Sequence, residues 1–284
     1  MAERIIDPAP SLAQRTSRAC LRRIGLHPHD VARPPDHVGG ARAVIVATSH
    51  GVLDIGVATG VFASELTVPY YVFLDAGLHV DVVSIQGGIV PIDPLSVKPA
   101  LRSPADDRML ADRRLRDKLM QSPAIADRDF AGYDIVFLAG GWGAAFDFAQ
   151  SDLLASRMSD AYAAGAVLGG ICHGPLGLLR ARRPDGELVV RGRRLTAVTD
   201  RQIRQLGIGL TPLHPETALR AAGALFESRT HPARDFFANH YVAEGDLITG
   251  QNQNAGPMVA RRMLERVLAR RAERAAATSE ETPR

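Results

Sequence analysis

The stretch "GGICHGPLG", residues 169–177, sets one of the chain's two cysteines between a glycine pair and a His-Gly-Pro turn. The residues before it, "AVLGGIC" (166–172), form a short apolar run that reads as a buried strand, and "HGPLGLLRAR" (173–182) reads as the helix after it. A strand that breaks sharply into a helix lifts one side chain above the edge of a parallel sheet, as in a nucleophile elbow. Gly169, Gly170 and Gly174 supply the small neighbours that such crowded backbone needs. A helix N-terminus beside Cys172 would favour the thiolate and lower its pKa, and backbone N–H groups there could hold an oxyanion. The same residue types also suit an inert core thiol, and the stretch by itself leaves both readings open. His173 serves as base only if the turn is strained, because neighbouring side chains ordinarily diverge.

Outward from this corner the chain alternates strand and helix. "ARAVIVATS" (41–49) is an apolar, β-branched strand; "ASELTVPYYVFLDAG" (63–77) has helical periodicity and stops at Gly77; "HVDVVSI" (79–85) is the next strand. This is a βαβ unit, right-handed by default. A Pro- and Gly-rich loop (86–107) leads to an exposed helix over 108–120. "YDIVFLAGGWGAAFDF" (133–148) is a strand entering a glycine-rich turn, and 151–165 is a helix capped by Ser151 or Asp152. Two extended runs are expected in 187–199, a helix over 214–227, a hairpin through Glu244-Gly245 and a closing helix over Pro257–Ala275. The fold class is therefore α/β, a three-layer, doubly wound, mainly parallel flavodoxin-like sheet with its elbow at Cys172. Residues 1–40 read as an N-terminal extension with a short helix around Leu12–Ile24, residues 41–275 as a single domain, and 276–284 as a polar tail.

Bulk composition narrows the function class. The chain has 284 residues, 46% hydrophobic and 23% charged, with a net charge of +3. That is ordinary globular composition and excludes a wholly disordered chain. The densest basic run, "MVARRMLERVLARRAER" (258–274), has no aromatics among its arginines, so it reads as a solvated helix face and not as a nucleic-acid surface. No apolar run approaches ~20 residues, which excludes a spanning helix, and the N-terminus lacks a signal-peptide pattern. Two cysteines make no disulfide framework. The expectation is a cytoplasmic protein with a small-molecule substrate.

Several further segments occur in an order that resembles the PfpI superfamily, the class I glutamine amidotransferase-like fold. They are "TSH" (48–50), "TGVFASELTVPYYVFLDAG" (59–77), "GGIVPIDPLS" (87–96), "YDIVFLAGGWG" (133–143), "CHGP" (172–175) and "DLITGQN" (246–252). Within it, the chain resembles the branch of glutathione-independent glyoxalases and stress-related holding chaperones. The resemblance implies roles. Cys172 matches the nucleophile, His173 its neighbouring histidine, Glu65 an acid approaching the sulfur, and Asp200 an acid that orients the histidine. Gly140, Gly141, Trp142 and Gly143 match the loop of the oxyanion site and pocket. It also implies a homodimer and no cofactor.

The departures from the pattern are specific. "GGWG" puts Trp142 where relatives often hold a histidine, and Phe62 stands at another histidine position. Glu65 alone cannot supply the three or four ligands that zinc takes, so no metal is expected. "DRQIRQ" (200–205) replaces a run of glutamates, and "GQNQ" (250–253) replaces Gly-Gln-Asn-Pro. Trp142 either narrows the pocket or packs the loop. His50 reads as a hydrogen-bonding histidine at a strand end, Glu216 as a cap of its own helix, and Cys20 as inert. Three function classes follow: conversion of small aldehydes through a Cys172 hemithioacetal, a holding chaperone or redox sensor, and a cysteine hydrolase or hydratase.

Overall fold

The computed structural model describes residues 16, 19, 20, 23, 37–99, 101–232 and 234–280. The helix expected around Leu12–Ile24 falls largely outside the described residues. The elements are β1 (Arg42–Ala47), α1 (Ala63–Asp75), β2 (His79–Ser84), α2 (Pro104–Ala111), α3 (Arg113–Met120), β3 (Ile135–Leu138), α4 (Ala144–Asp147), α5 (Asp152–Ala164), β4 (Val167–Ile171), β5 (Arg194–Leu195), α6 (Asp200–Leu206), α7 (Pro215–Ala221), β6 (Leu225–Phe226), β7 (Tyr241–Glu244), β8 (Leu247–Gly250) and α8 (Gly256–Glu280).

The main sheet has the order β2-β1-β3-β4-β8-β7, with β5 and β6 paired apart from it. Every neighbour pair is parallel except β7 with β8. Leaving out the edge strand β7, the strands run in the flavodoxin-like order, in which ligands collect at the carboxyl ends. Strand alternation sends Ala43, Ile45 and Ala47 to one face and Val44 and Val46 to the other. On the first face Leu66, Tyr70 and Phe73 of α1 pack with Val259 and Met263 of α8. On the second, Leu154 and Met158 of α5 pack with Leu176 and Leu178. Each such side chain, fully buried, contributes about 1.5–3 kcal/mol. The two layers clamp the sheet and leave only its ends for chemistry.

Several expected elements differ in detail. The helix over 108–120 is two helices. Asp112 leaves the helical region and its carboxylate accepts from the Arg114 and Leu115 amides, restarting the chain as α3. The helix over 173–182 is a single 3-10 stretch, Gly174–Leu178. Two glycines and a proline in five residues give little helical propensity, and the segment lies flush on β3, where a Cβ on Gly174 would meet the Leu138 carbonyl oxygen at 2.2 Å. Of 187–199, only Arg194–Leu195 forms a strand, against Leu225–Phe226, which also ends the expected 214–227 helix at Ala221. The hairpin through Glu244-Gly245 is present, with Gly245 at φ +57°. The last helix continues to Glu280, through part of the segment read as a tail.

Candidate functional site

Cys172 is the residue immediately after β4. It has φ +58°, the one non-glycine in the left-handed region among the described residues. Such a conformation costs free energy in an L-residue and persists only where the surroundings over-determine it. Here they do. The Cys172 amide donates to the Gly250 carbonyl at 3.0 Å, and its carbonyl accepts from Val198 N–H at 3.0 Å. The strand registry of β4 between β3 and β8 fixes the residues just before it. The turn thus holds the sulfur at the carboxyl end of the sheet, 9% exposed.

Glu65 meets it from the first turn of α1. That helix begins at the glycine turn after β3, through Phe62 N–H to the Gly140 carbonyl. Its Ala63 amide donates to Ser96 Oγ at 3.0 Å, and Ser96 in turn donates to the Asp93 carbonyl at 2.6 Å. The "GGIVPIDPLS" loop therefore caps the helix that carries Glu65. Glu65 is 1% exposed and shares a hydrogen bond with Cys172. Its Oε2 has no hydrogen-bond partner. Gly140 makes the approach possible: a Cβ there would meet Glu65 Oε2 at 2.2 Å and the Ile171 carbonyl oxygen at 2.4 Å.

Burial sets the electrostatics. It pushes the Glu65 carboxyl from 4.5 to about 8, partly offset by the hydrogen bond to Cys172 and slightly reinforced by Asp93. Burial, then the charge of Glu65, raises the Cys172 thiol above its ordinary value, against the pull of the Gly141 and His173 amides. The thiolate-favouring effect expected from a helix N-terminus is outweighed, because the following 3-10 turn is short and the sulfur is desolvated. The two groups act as a coupled pair that parts with its first proton at a carboxyl tuned to near-neutral pH.

His173 stands with Nδ1 3.4 Å from Cys172 Sγ. Burial lowers its pKa from 6.5 to about 3, with nearby His214 adding to the effect. It is a neutral ring whose Nε2 has no partner. Asp200 does not orient it. The Asp200 carboxylate accepts from the Thr217 hydroxyl and lies 3.6 Å from His214 Nδ1. Its position at the first residue of α6 directs the side chain to α7. Glu216 likewise departs from expectation: it accepts from the Asp200 amide at 3.1 Å and so caps α6, not its own helix. His50 stacks on Phe146 with centroids 4.3 Å apart, and its amide bonds Thr48 Oγ1 at 2.9 Å. Thr48 and the Ser49 amide hold Asp147, tying β1 to α4. Cys20 is an exposed free thiol.

A cavity of about 400 Å³ opens over Cys172, Glu65 and His173. Of the glycine-turn residues, Gly141 and Trp142 line it. Gly140 sits behind the Glu65–Cys172 contact, and Gly143 faces the His50 carbonyl, so neither belongs to the pocket wall. Asp93, Gln202, Gln253, Phe236 and Phe237 also line it and carried no role in the sequence reading. The first three stand within quoted motifs, where only their placement beside the sulfur was hidden. Among the described residues no three His, Cys, Asp or Glu side chains are grouped as a metal ion requires, and no helix is long and apolar enough to cross a membrane.

Comparison with known proteins agrees with this architecture. The DJ-1/PfpI family profile matches residues 54–266. The chain is 27% identical over 238 residues to the glutathione-independent glyoxalase hsp3102 of Schizosaccharomyces pombe, covering 78% of this chain and 95% of that protein. It is 30% identical over 210 residues to glutathione-independent glyoxalase hsp3101 of the same organism, covering 69% and 83%. The solved Rapid Encystment Protein 24 KDa of Francisella tularensis superposes with a TM-score of 0.74 at 30% identity, over 80% of this chain and 99% of that one.

Proposed function

The chain belongs to the DJ-1/PfpI family, and from that premise we propose that it is a glutathione-independent glyoxalase that turns a 2-oxoaldehyde such as methylglyoxal into the 2-hydroxy acid. The observation that carries this reading is Glu65 buried against Cys172 with its carboxyl raised to about 8. A general acid–base is most effective with a pKa near the working pH.

The steps follow from that pair. As substrate enters, Glu65 in its ionised form, the minor form below about pH 8, takes the Cys172 proton while the sulfur adds to the aldehyde carbon, and then passes that proton to the former carbonyl oxygen, giving a hemithioacetal. The Gly141 and His173 amides, which already face the sulfur, stabilise the developing oxyanion. Removal of the hydrogen on the former aldehyde carbon gives an enediol, and its return to the neighbouring carbon gives a thioester of the 2-hydroxy acid. Water then cleaves the thioester, releasing the acid and restoring the thiol. Each proton removed is returned, water is the only other reactant, and no net oxidation occurs. Glu65 carries these transfers in preference to His173, whose pKa near 3 makes it a weak base. His173 holds the thiol in place through Nδ1. A buried thiol with a raised pKa is also a poor oxidation sensor, since sensor cysteines are exposed and acidic. A reducing cytoplasmic setting would keep this thiol available.

The test is lactate production from methylglyoxal by purified protein without glutathione. Turnover is expected in the wild type and abolished in Cys172→Ala. A wild type that makes no lactate overturns the reading.

A further inference from the structure

One wall of the cavity is held far more lightly than the rest. The ends of β4 and α1 that carry the reacting groups are anchored in the core against the sheet, through Ile171 and Leu66. The opposite wall takes Gln202 and Leu206 from α6 and Ile208 from the turn after it. With seven residues, α6 is too short to hold without packing. Its one buried aliphatic side chain, Ile203, joins neither sheet-packing core. It belongs to a small group with Val198 and Cys172, flanked by Ile208. Elements with few buried apolar contacts open at the lowest free energy.

The two ends of α6 are unlike. The first residue is pinned to α7: Glu216 accepts from the Asp200 amide at 3.1 Å, and the Thr217 hydroxyl donates to the Asp200 carboxylate. The other end runs into Gly207, at φ +72°, and Gly209, where a Cβ would meet nothing within 4 Å. Leu206 and Leu210 are exposed there. One end is a pivot and the other a flexible leash.

Between pivot and leash, α6 is clasped to the facing wall by Asp235. Gln205 Oε1 accepts from the Asp235 amide at 2.9 Å, and Arg201 Nε lies 3.5 Å from Asp235 Oδ2. Asp235 is 1% exposed. Its Oδ1 accepts from the His231 amide at 2.9 Å, and its carbonyl accepts from Asn252 Nδ2 at 3.2 Å. The next two residues, Phe236 and Phe237, line the cavity opposite α6. A polar clasp on one buried carboxylate therefore joins the two sides of the rim.

We propose that α6 is a hinged lid over Cys172 and that Asp235 is the positioning residue that latches it closed. Swinging about Asp200 takes Ile203 away from Cys172 and parts Gln202 and Leu206 from Phe236 and Phe237. Relatching encloses the bound molecule and shuts out water. The lid needs Cys172 beneath it, but not the glyoxalase reading.

Alkylation of Cys172 reads the opening without turnover. It is followed in Cys20→Ala protein, because Cys20 is an exposed free thiol, at one fixed alkaline pH. The reagents are iodoacetamide and a bulky dye-bearing iodoacetamide. Where reclosing is fast, the rate follows the population of the open form. Asp235→Asn keeps an acceptor for the His231 amide and removes the charge facing Arg201. The rate should rise at least about fivefold, and more for the bulky reagent. Arg201→Gln should raise it about twofold, since Arg201 is half exposed. Gly209→Ala has room for its Cβ and stiffens the leash, so the rate should fall about twofold. Dilute urea should change these rates little, because lid opening exposes little surface.

Unchanged rates in both Arg201→Gln and Gly209→Ala would overturn the lid, whether or not Asp235→Asn folds. So would a rise in Asp235→Asn that carries the steep urea dependence of global unfolding. Protein that makes no lactate yet follows the expected order of rates would sink the glyoxalase reading and uphold the lid. Lactate production with rates indifferent to all three substitutions would do the reverse.

Discussion

Glu65 and Asp200 are both acids in the first turn of a helix, and the sequence pointed to both as parts of one site. The structure treats them in opposite ways. Asp200 is about a quarter exposed: one oxygen accepts from the Thr217 hydroxyl, the other makes no hydrogen bond but lies 3.6 Å from His214 Nδ1, and its amide is satisfied by Glu216. Glu65 is buried with one oxygen unpartnered and the other group in reach a thiol. A carboxylate supplied with donors stabilises a local structure. A carboxylate buried away from water, with a thiol as its hydrogen-bond partner, holds its proton into the neutral range and becomes able to move it. The difference lies in the neighbours, because the helix dipole is common to both sites.

The largest effect that could break this contrast is on turnover. Glu65→Gln keeps the shape and removes the titration, so kcat/KM for the 2-oxoaldehyde should fall roughly 10²–10⁴-fold. A fall under tenfold would show that Glu65 is a bystander.

The same substitution should raise stability. An acid whose folded pKa lies above its unfolded value keeps its proton in the native state while the unfolded chain loses it. The native state is then penalised as pH rises from 4.5, with the penalty complete above about 8. Removing the titration should therefore stabilise the protein by roughly 1–3 kcal/mol near pH 7, and by less below pH 4.5. Denaturant midpoints of wild type and Glu65→Gln at the two pH values check this. A variant less stable than wild type near pH 7 would contradict the assigned burial cost.

The smallest effect belongs to the other acid. Asp200→Asn loses a hydrogen bond to Thr217 and a helix N-terminal charge, about 1 kcal/mol of stability together. It should change kcat/KM less than about threefold, with an unaltered pH profile. A large loss of kcat with a shifted profile would return Asp200 to the role of orienting His173.

Much of this was legible from residue pattern. The β1–α1–β2 unit, the strand into "GGICHGP" and the hairpin at Gly245 follow from apolar periodicity and glycine placement, which are local properties. The break at Asp112 was hidden because it stands in a run rich in charged residues, "RMLADRRLRDKLM" (108–120), that reads as one exposed helix. The 3-10 turn after Cys172 was hidden because the close approach to Leu138 is a contact across the sheet. Asp200 was misplaced for a similar reason: a match to a position in the family pattern does not fix which helix its side chain faces. Trp142, Gln202 and Gln253 fall in segments that read as departures from the family pattern. Only the fold shows that all three line one cavity. The Cys172 conformation itself, φ +58° in a non-glycine, has no signature in residue type.

The central claim is that Cys172 and Glu65 form one titrating unit, and the rate of Cys172 alkylation by iodoacetamide as a function of pH tests it most directly. In the wild type burial and the charge of Glu65 hold the thiol well above its ordinary value, so the rate should stay low through neutral pH and climb only in the alkaline range. In Glu65→Gln the charge that raises the thiol is gone, so the midpoint should move downward, although burial still holds it above the ordinary thiol value. Identical profiles in the two proteins would contradict the claim.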